Sequence, residues 1–132
     1  MKTIFQIFTF LVIVVSSCTK EEIKIEPNNP LVGTWNYSDY SDNAMIFTRS
    51  EKFIDNRCYK FNSDGTMLER NITGWCATPP VSYSDYQGRW AILNDTLIQL
   101  NVTYFDGLRS YRLDVKLIDS NSLEVINVGN SR

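Results

Sequence analysis

The sequence predicts an all-β domain in which eight antiparallel strands close into one up-and-down barrel. Apolar and polar residues alternate along successive segments, most clearly over 96–105 and 108–118. Turn residues such as Asp64-Gly65 and Asn94-Asp95 separate these segments so closely that neighbouring strands should pair antiparallel. The 132 residues suffice for one domain.

The alternation places one apolar face on each segment. Leu100 and Val102 fall on one side of their strand, and Tyr111 and Leu113 fall on one side of the next. We expect strands at residues 33–39, 44–54, 57–62, 66–73, 84–93, 96–105, 108–118 and 122–128. For the second strand an alternative stays open, because residues 44–47 could equally form a helical turn. A closed barrel follows because closure leaves no unpaired edge.

The first residues have the layout of a secretory signal. Lys2 supplies a positive start, residues 4–15 form an apolar run, and Ser16-Ser17 are small residues just before Cys18. The apolar run is shorter than the roughly 20 residues that a membrane-spanning helix needs. We therefore expect residues 1–17 to direct export.

The segment Val15-Ser16-Ser17-Cys18 resembles the lipobox of bacterial lipoproteins, with Val15 where leucine is usual. The resemblance implies that Cys18 carries lipid, including palmitate, and becomes the first residue after residues 1–17 are removed. An ordinary signal peptide with a nearby cysteine is the alternative. Residues 18–30, polar and with two prolines, then form a flexible tether before the domain at 31–132.

The residues after Cys18 resemble the surface-export tag of Bacteroidota-type lipoproteins, through Lys20 followed by two glutamates. An acidic, solvated tether explains them equally well. The resemblance implies an outer-membrane location, with periplasmic and cell-surface orientations both open. The membrane is then the expected partner, through the lipid anchor.

The domain opens with Leu31-Val32-Gly33-Thr34-Trp35, which resembles the Gly-x-Trp of the first strand of lipocalins and lipocalin-like bacterial lipoproteins. Later segments, such as 59–66, and the final hairpins fit the same pattern. The resemblance implies that Trp35 closes one end of the barrel. The chain is shorter than a typical ligand-carrying lipocalin and has no predicted helix after the last strand, which argues against a large cavity.

Cys58 and Cys76 remain if Cys18 is lipidated. An exported chain meets an oxidising compartment, so we expect these two to form a disulfide across the Asp64-Gly65 turn. A reactive thiol at Cys76 is the alternative, but the chain has no histidine to activate it. Two cysteines without histidine also fall short of the four ligands that a zinc site needs.

The function suggested by these features is binding. The net charge of −2 gives no reason to expect nucleic acid as a partner, and the absence of histidine removes the commonest general base. We expect no catalytic residues, metal or cofactor. A barrel would hold a small apolar or amphipathic ligand, or a partner protein, at the cell envelope. The inward candidates for lining a ligand site are Trp35, Trp90, Ile92, Leu100, Val102, Tyr111 and Leu113.

Two other hypotheses stay open. The chain could be an accessory subunit of an envelope complex, with a solid core and a contact surface on the loop at 75–83, which has aromatic residues at both ends and two prolines. It could also be an enzyme, although no motif in the sequence supports that.

Overall fold

The computed structural model describes residues 25–73 and 79–130, and these residues form one closed barrel of eight β-strands. The strands are β1 (Gly33–Ser41), β2 (Ala44–Ser50), β3 (Cys58–Phe61), β4 (Thr66–Ile72), β5 (Tyr83–Ile92), β6 (Leu97–Tyr104), β7 (Gly107–Asp119) and β8 (Ser122–Asn130). Every strand runs antiparallel to both neighbours, and neither described range contains a helix. The all-β, eight-stranded up-and-down barrel is confirmed, and it is compatible with a lipocalin-like fold.

Pairing around the barrel departs from sequence order at one hairpin. Consecutive strands from β3 to β8 pair with one another, and β1 pairs with β2. The barrel is closed by β1 pairing with β3 and by β2 pairing with β8. The expected pairing of β2 with β3 is therefore wrong. The connection at 51–57 passes instead over the face of β1 that carries Asn36, whose side-chain amide donates to the Lys52 carbonyl at 2.9 Å.

The second strand also ends earlier than expected, at Ser50 rather than at residue 54. Ser50 lies opposite Thr34, next to the first residue of β1, so the ladder has no further partner there. The Ser50 hydroxyl then donates to the Lys52 carbonyl as the chain turns away. The helical alternative for residues 44–47 is excluded, because they pair with β1 and β8.

The barrel has two ends that differ in their connections. We call the end with the β3–β4, β5–β6 and β7–β8 turns the floor, and the opposite end, with the β1–β2, β4–β5 and β6–β7 connections, the mouth. Residues 25–32 lie at the floor, and Ile25, within the predicted tether, is only 4% exposed and belongs to the core. Residues 18–24 lie outside the described residues.

Side chains fill the interior toward the floor. Trp35 is fully buried, and its indole N–H donates to the Leu31 carbonyl at 2.9 Å. Above the Trp35 ring, at 4.3 Å from its centroid, lies the guanidinium of Arg49. The same guanidinium donates to the carbonyls of Pro30, Val32 and Ser120, so one side chain joins the segment before β1 to the β7–β8 turn.

Aromatic rings continue the packing through the core. The ring centroids of Phe47 and Tyr59 are 5.2 Å apart, those of Tyr59 and Phe61 are 5.7 Å apart, and those of Phe61 and Trp90 are 4.9 Å apart. Such distances are typical of favourable aromatic pairs. Aromatic side chains therefore pack the core of the barrel toward the floor.

Candidate functional site

The residues predicted to line a ligand site are all part of the barrel interior or packed against it. Trp35, Trp90, Leu100, Val102, Tyr111 and Leu113 are buried, and Ile92 is half-buried against them. The alternation of apolar and polar residues therefore predicted correctly that these side chains face the barrel interior. They pack against one another, however, and the cavity described below has a different lining. Their role as ligand contacts stays a prediction.

Two of the predicted cysteine sites lie outside the described residues. These are Cys18, the expected lipid site, and Cys76, the expected disulfide partner, so both expectations stay predictions. Cys58 is described and is fully buried, with its thiol 3.3 Å from the Asn56 carbonyl. Burial raises the pKa of the Cys58 thiol, and this makes the thiolate scarce.

A cavity of about 290 Å³ opens at the mouth. It exists because β3 is short: β3 begins at Cys58, opposite Asn36, while β1 continues to Ser41. The wall between β1 and β4 is therefore incomplete near the mouth, and residues just before β3 take its place. The lining residues are Tyr37, Tyr40, Met45, Asn56, Arg57, Asn71, Ile72 and Tyr83.

One part of this lining is aromatic and apolar. The Tyr37 ring packs edge-on against Phe47, with centroids 5.9 Å apart and planes at 82°, so the core fixes its position. Met45 and Ile72 are half-buried, whereas Tyr40 is 58% exposed at the rim. A flat apolar group could therefore be enclosed between tyrosine rings and aliphatic side chains.

The other part is polar and is fixed by hydrogen bonds. The Arg57 carbonyl accepts from the Tyr37 amide at 2.9 Å, which extends the β1–β3 ladder by one residue. The Arg57 amide donates to the Asn56 side-chain oxygen at 2.7 Å. The side-chain amide of Asn71 donates to Glu69 at 3.0 Å. These polar groups are thus held in place without a ligand.

Below the cavity lies a buried carboxylate. Glu69 is 2% exposed, and it accepts hydrogen bonds from the hydroxyls of Tyr104 and Tyr111, the latter at 2.8 Å. Burial raises the pKa of Glu69, while the hydrogen bonds from Tyr104, Tyr111 and Asn71 and the charge of Arg57 act in the opposite direction. Burial also raises the pKa of Tyr104 and of Tyr111. The group is a closed hydrogen-bonded cluster that anchors the inner edge of the cavity.

Sequence reasoning missed both charged residues of this region. A pattern could have revealed Glu69, because it stands between Met67 and Asn71 on the inward face of an alternating strand, where an acid is rare. No pattern in the sequence indicated Arg57, because it lies in a connecting segment where apolar and polar residues do not alternate.

Within residues 25–73 and 79–130, no group of three or more His, Cys, Asp or Glu side chains could hold a metal ion. The described part of the chain also contains no helix that is long and apolar enough to cross a membrane. Comparison with models of protein families, with curated proteins and with solved structures gave no match. The class defined by fold and site is a closed antiparallel barrel with a packed floor and a cavity at its mouth.

Proposed function

We propose that the chain is an envelope-anchored, lipocalin-like lipoprotein that binds a small amphipathic ligand in the mouth cavity and catalyses no reaction. The observation that carries this proposal is the cavity itself, with its aromatic and polar parts. Ligand sites generally combine an apolar lining with a few fixed polar groups. The lining at the mouth has that composition.

The size of the cavity limits the ligand. Pockets for drug-sized ligands generally occupy about 300–1,000 Å³, and a cavity of about 150 Å³ can hold benzene. The mouth cavity, at about 290 Å³, lies between these two cases. We therefore expect a compact ligand with one or two rings, and we expect long lipid chains to be excluded by the packed floor.

The N-terminal segment is consistent with an anchor on the floor side. Ile25 is buried, and Pro30 is bound by Arg49 at the floor. A fully extended chain spans about 3.5 Å per residue, so a lipid on Cys18 would sit within about 25 Å of Ile25. In this arrangement the floor faces the membrane and the mouth faces away from it.

The proposal is tested by calorimetric titration of the full chain with cinnamyl alcohol, a neutral ring compound with one hydroxyl. Ile72→Trp would place a larger ring in the cavity, and Ile118→Trp makes the same change at an exposed position on β7 near the floor. Binding should be lost in Ile72→Trp and kept in Ile118→Trp. Equal binding by both variants, or no binding by the unmodified chain up to about 1 mM, would contradict the proposal.

A second candidate function is an accessory role in an envelope complex. Phe105 and Leu108 flank the β6–β7 turn at the mouth and are 58% and 67% exposed, and exposed apolar patches commonly mark protein contacts. Affinity isolation from solubilised membranes tests this function, with a Phe105→Ser/Leu108→Ser double variant as the control. Recovery of the chain alone would count against it.

A further inference from the structure

We infer that the mouth cavity selects aromatic carboxylates, with the carboxylate paired to the Arg57 guanidinium and the ring enclosed by the tyrosines. This inference rests on the proposed function, because it names the ligand class for the same cavity. It is carried by the unusual position of Arg57, which is half-buried and lines the cavity.

Among residues 25–73 and 79–130, the Arg57 guanidinium has one weak acceptor. Its Nη1 donates to the Met45 sulfur at 3.1 Å, and a thioether is a weak acceptor. No carboxylate in the described ranges lies within 4.0 Å of it. The five residues between the two described ranges, Gly74 to Thr78, include no acidic residue.

Other arginines of the barrel already have strong acceptors. Arg70 binds Asp85 with two nitrogens, at 2.7 and 3.0 Å. Arg49 binds three backbone carbonyls at the floor. Arg57 differs from both because it lines the cavity and its protein acceptor is the weak Met45 sulfur. Guanidinium donors that open onto a cavity can bind water, and a ligand carboxylate would replace that water with stronger, charge-assisted hydrogen bonds.

Glu69 does not neutralise Arg57 by direct contact. Its oxygens are occupied by the hydroxyls of Tyr104 and Tyr111 and by the amide of Asn71. The charges of Glu69 and Arg57 nevertheless interact across the inner edge of the cavity.

Two features indicate which anionic group the ligand carries: the planar guanidinium of Arg57 and the nearby side chain of Glu69. A planar guanidinium matches a carboxylate through two parallel hydrogen bonds. A phosphate monoester would bring about 1.5–2 negative charges toward Glu69, whereas a carboxylate brings one. The cavity is lined by the Tyr37 ring, against which a ring attached to that carboxylate could pack.

The test compares cinnamate with cinnamamide, which have nearly the same shape and differ in charge. Calorimetric titration of the full chain should give a dissociation constant about tenfold lower for cinnamate, equivalent to one additional charge-assisted contact of about 1.4 kcal/mol. In Arg57→Gln the preference should disappear. In Arg112→Gln, which changes an exposed arginine bound to Gln99 on the outer face of the barrel, it should remain.

Arg57→Lys provides a second variant, should Arg57→Gln unfold, as circular dichroism would reveal. It keeps the charge but loses the fork, so the preference for cinnamate should fall several-fold. Equal binding of both probes to the unmodified chain overturns the inference and leaves the proposed function intact. Absence of binding by either probe overturns both. An unchanged preference in Arg57→Gln removes Arg57 from the account, and an unchanged preference in Arg57→Lys overturns the two-bond pairing of the carboxylate with the guanidinium.

Discussion

Replacing Arg49 by methionine should weaken the floor of the barrel. Methionine keeps a linear apolar side chain over Trp35 but removes the guanidinium. The change deletes hydrogen bonds to the carbonyls of Val32 at 2.8 Å, Ser120 at 3.0 Å and Pro30 at 2.5 Å. It also deletes the charge that lies 4.3 Å above the Trp35 ring centroid.

The loss of unfolding free energy in Arg49→Met depends on which of these contacts water can replace. The bonds to Pro30 and Ser120 are exposed and contribute little, whereas the bond to Val32 is partly buried. A charged hydrogen bond of that kind is worth about 1.5–3 kcal/mol, and a cation–π contact about 0.5–2 kcal/mol. We expect a loss of about 2–5 kcal/mol from a domain stability of about 5–15 kcal/mol.

Urea unfolding followed by tryptophan fluorescence measures this loss as a lower midpoint at an unchanged slope. Arg112→Met is the matched control, because Arg112 is exposed on β7, and its effect should stay within about 0.5 kcal/mol. An Arg49→Met variant that also stays within about 0.5 kcal/mol would refute the reasoning that this side chain holds the floor together.

Three further predictions concern packing, titration and the anchor. Gly88→Ala should destabilise the barrel by about 1–3 kcal/mol, because the added Cβ would lie 2.5 Å from the Asn101 carbonyl oxygen. Thermal unfolding measures this loss, and an unchanged midpoint would contradict the prediction. Burial raises the pKa of Glu69 above its ordinary value of 4.5, so its contribution to stability is complete below pH 4.5 and is lost as the pH rises through the folded pKa. Glu69→Gln should flatten that fall, which urea unfolding at a series of pH values above 4.5 would measure; parallel curves would count against it. Cys18→Ser should release the chain from membranes in fractionation, and unchanged fractionation would reject the lipid anchor.

Much of the fold was predictable because alternation is a local property of the chain. Leu100, Val102, Tyr111 and Leu113 face inward as their spacing indicates. The exchange of β1 and β2 was not predictable, because alternation records which side of a strand is buried and not which strand lies beside it. The Asn36–Lys52 hydrogen bond that accompanies this exchange joins residues 16 positions apart.

The site was less predictable than the fold, for a similar reason. The cavity depends on how short β3 is relative to β1, and strand ends are set by pairing partners rather than by the residues at the end. Arg57 becomes a site residue only when the connection at 51–57 brings it against Tyr37. Trp35 lies near the floor and is completely buried, and its role in closing that end stays a prediction.

The most direct test of the central claim is amide chemical-shift mapping by NMR during titration of the full chain with cinnamate. If the mouth cavity is the binding site, the shifts should cluster on Tyr37, Arg57, Asn71 and Tyr83, and the floor around Leu31 should stay unperturbed. Shifts concentrated at the floor or on the outer face of the barrel would contradict the account, and so would the absence of any shift up to about 1 mM ligand.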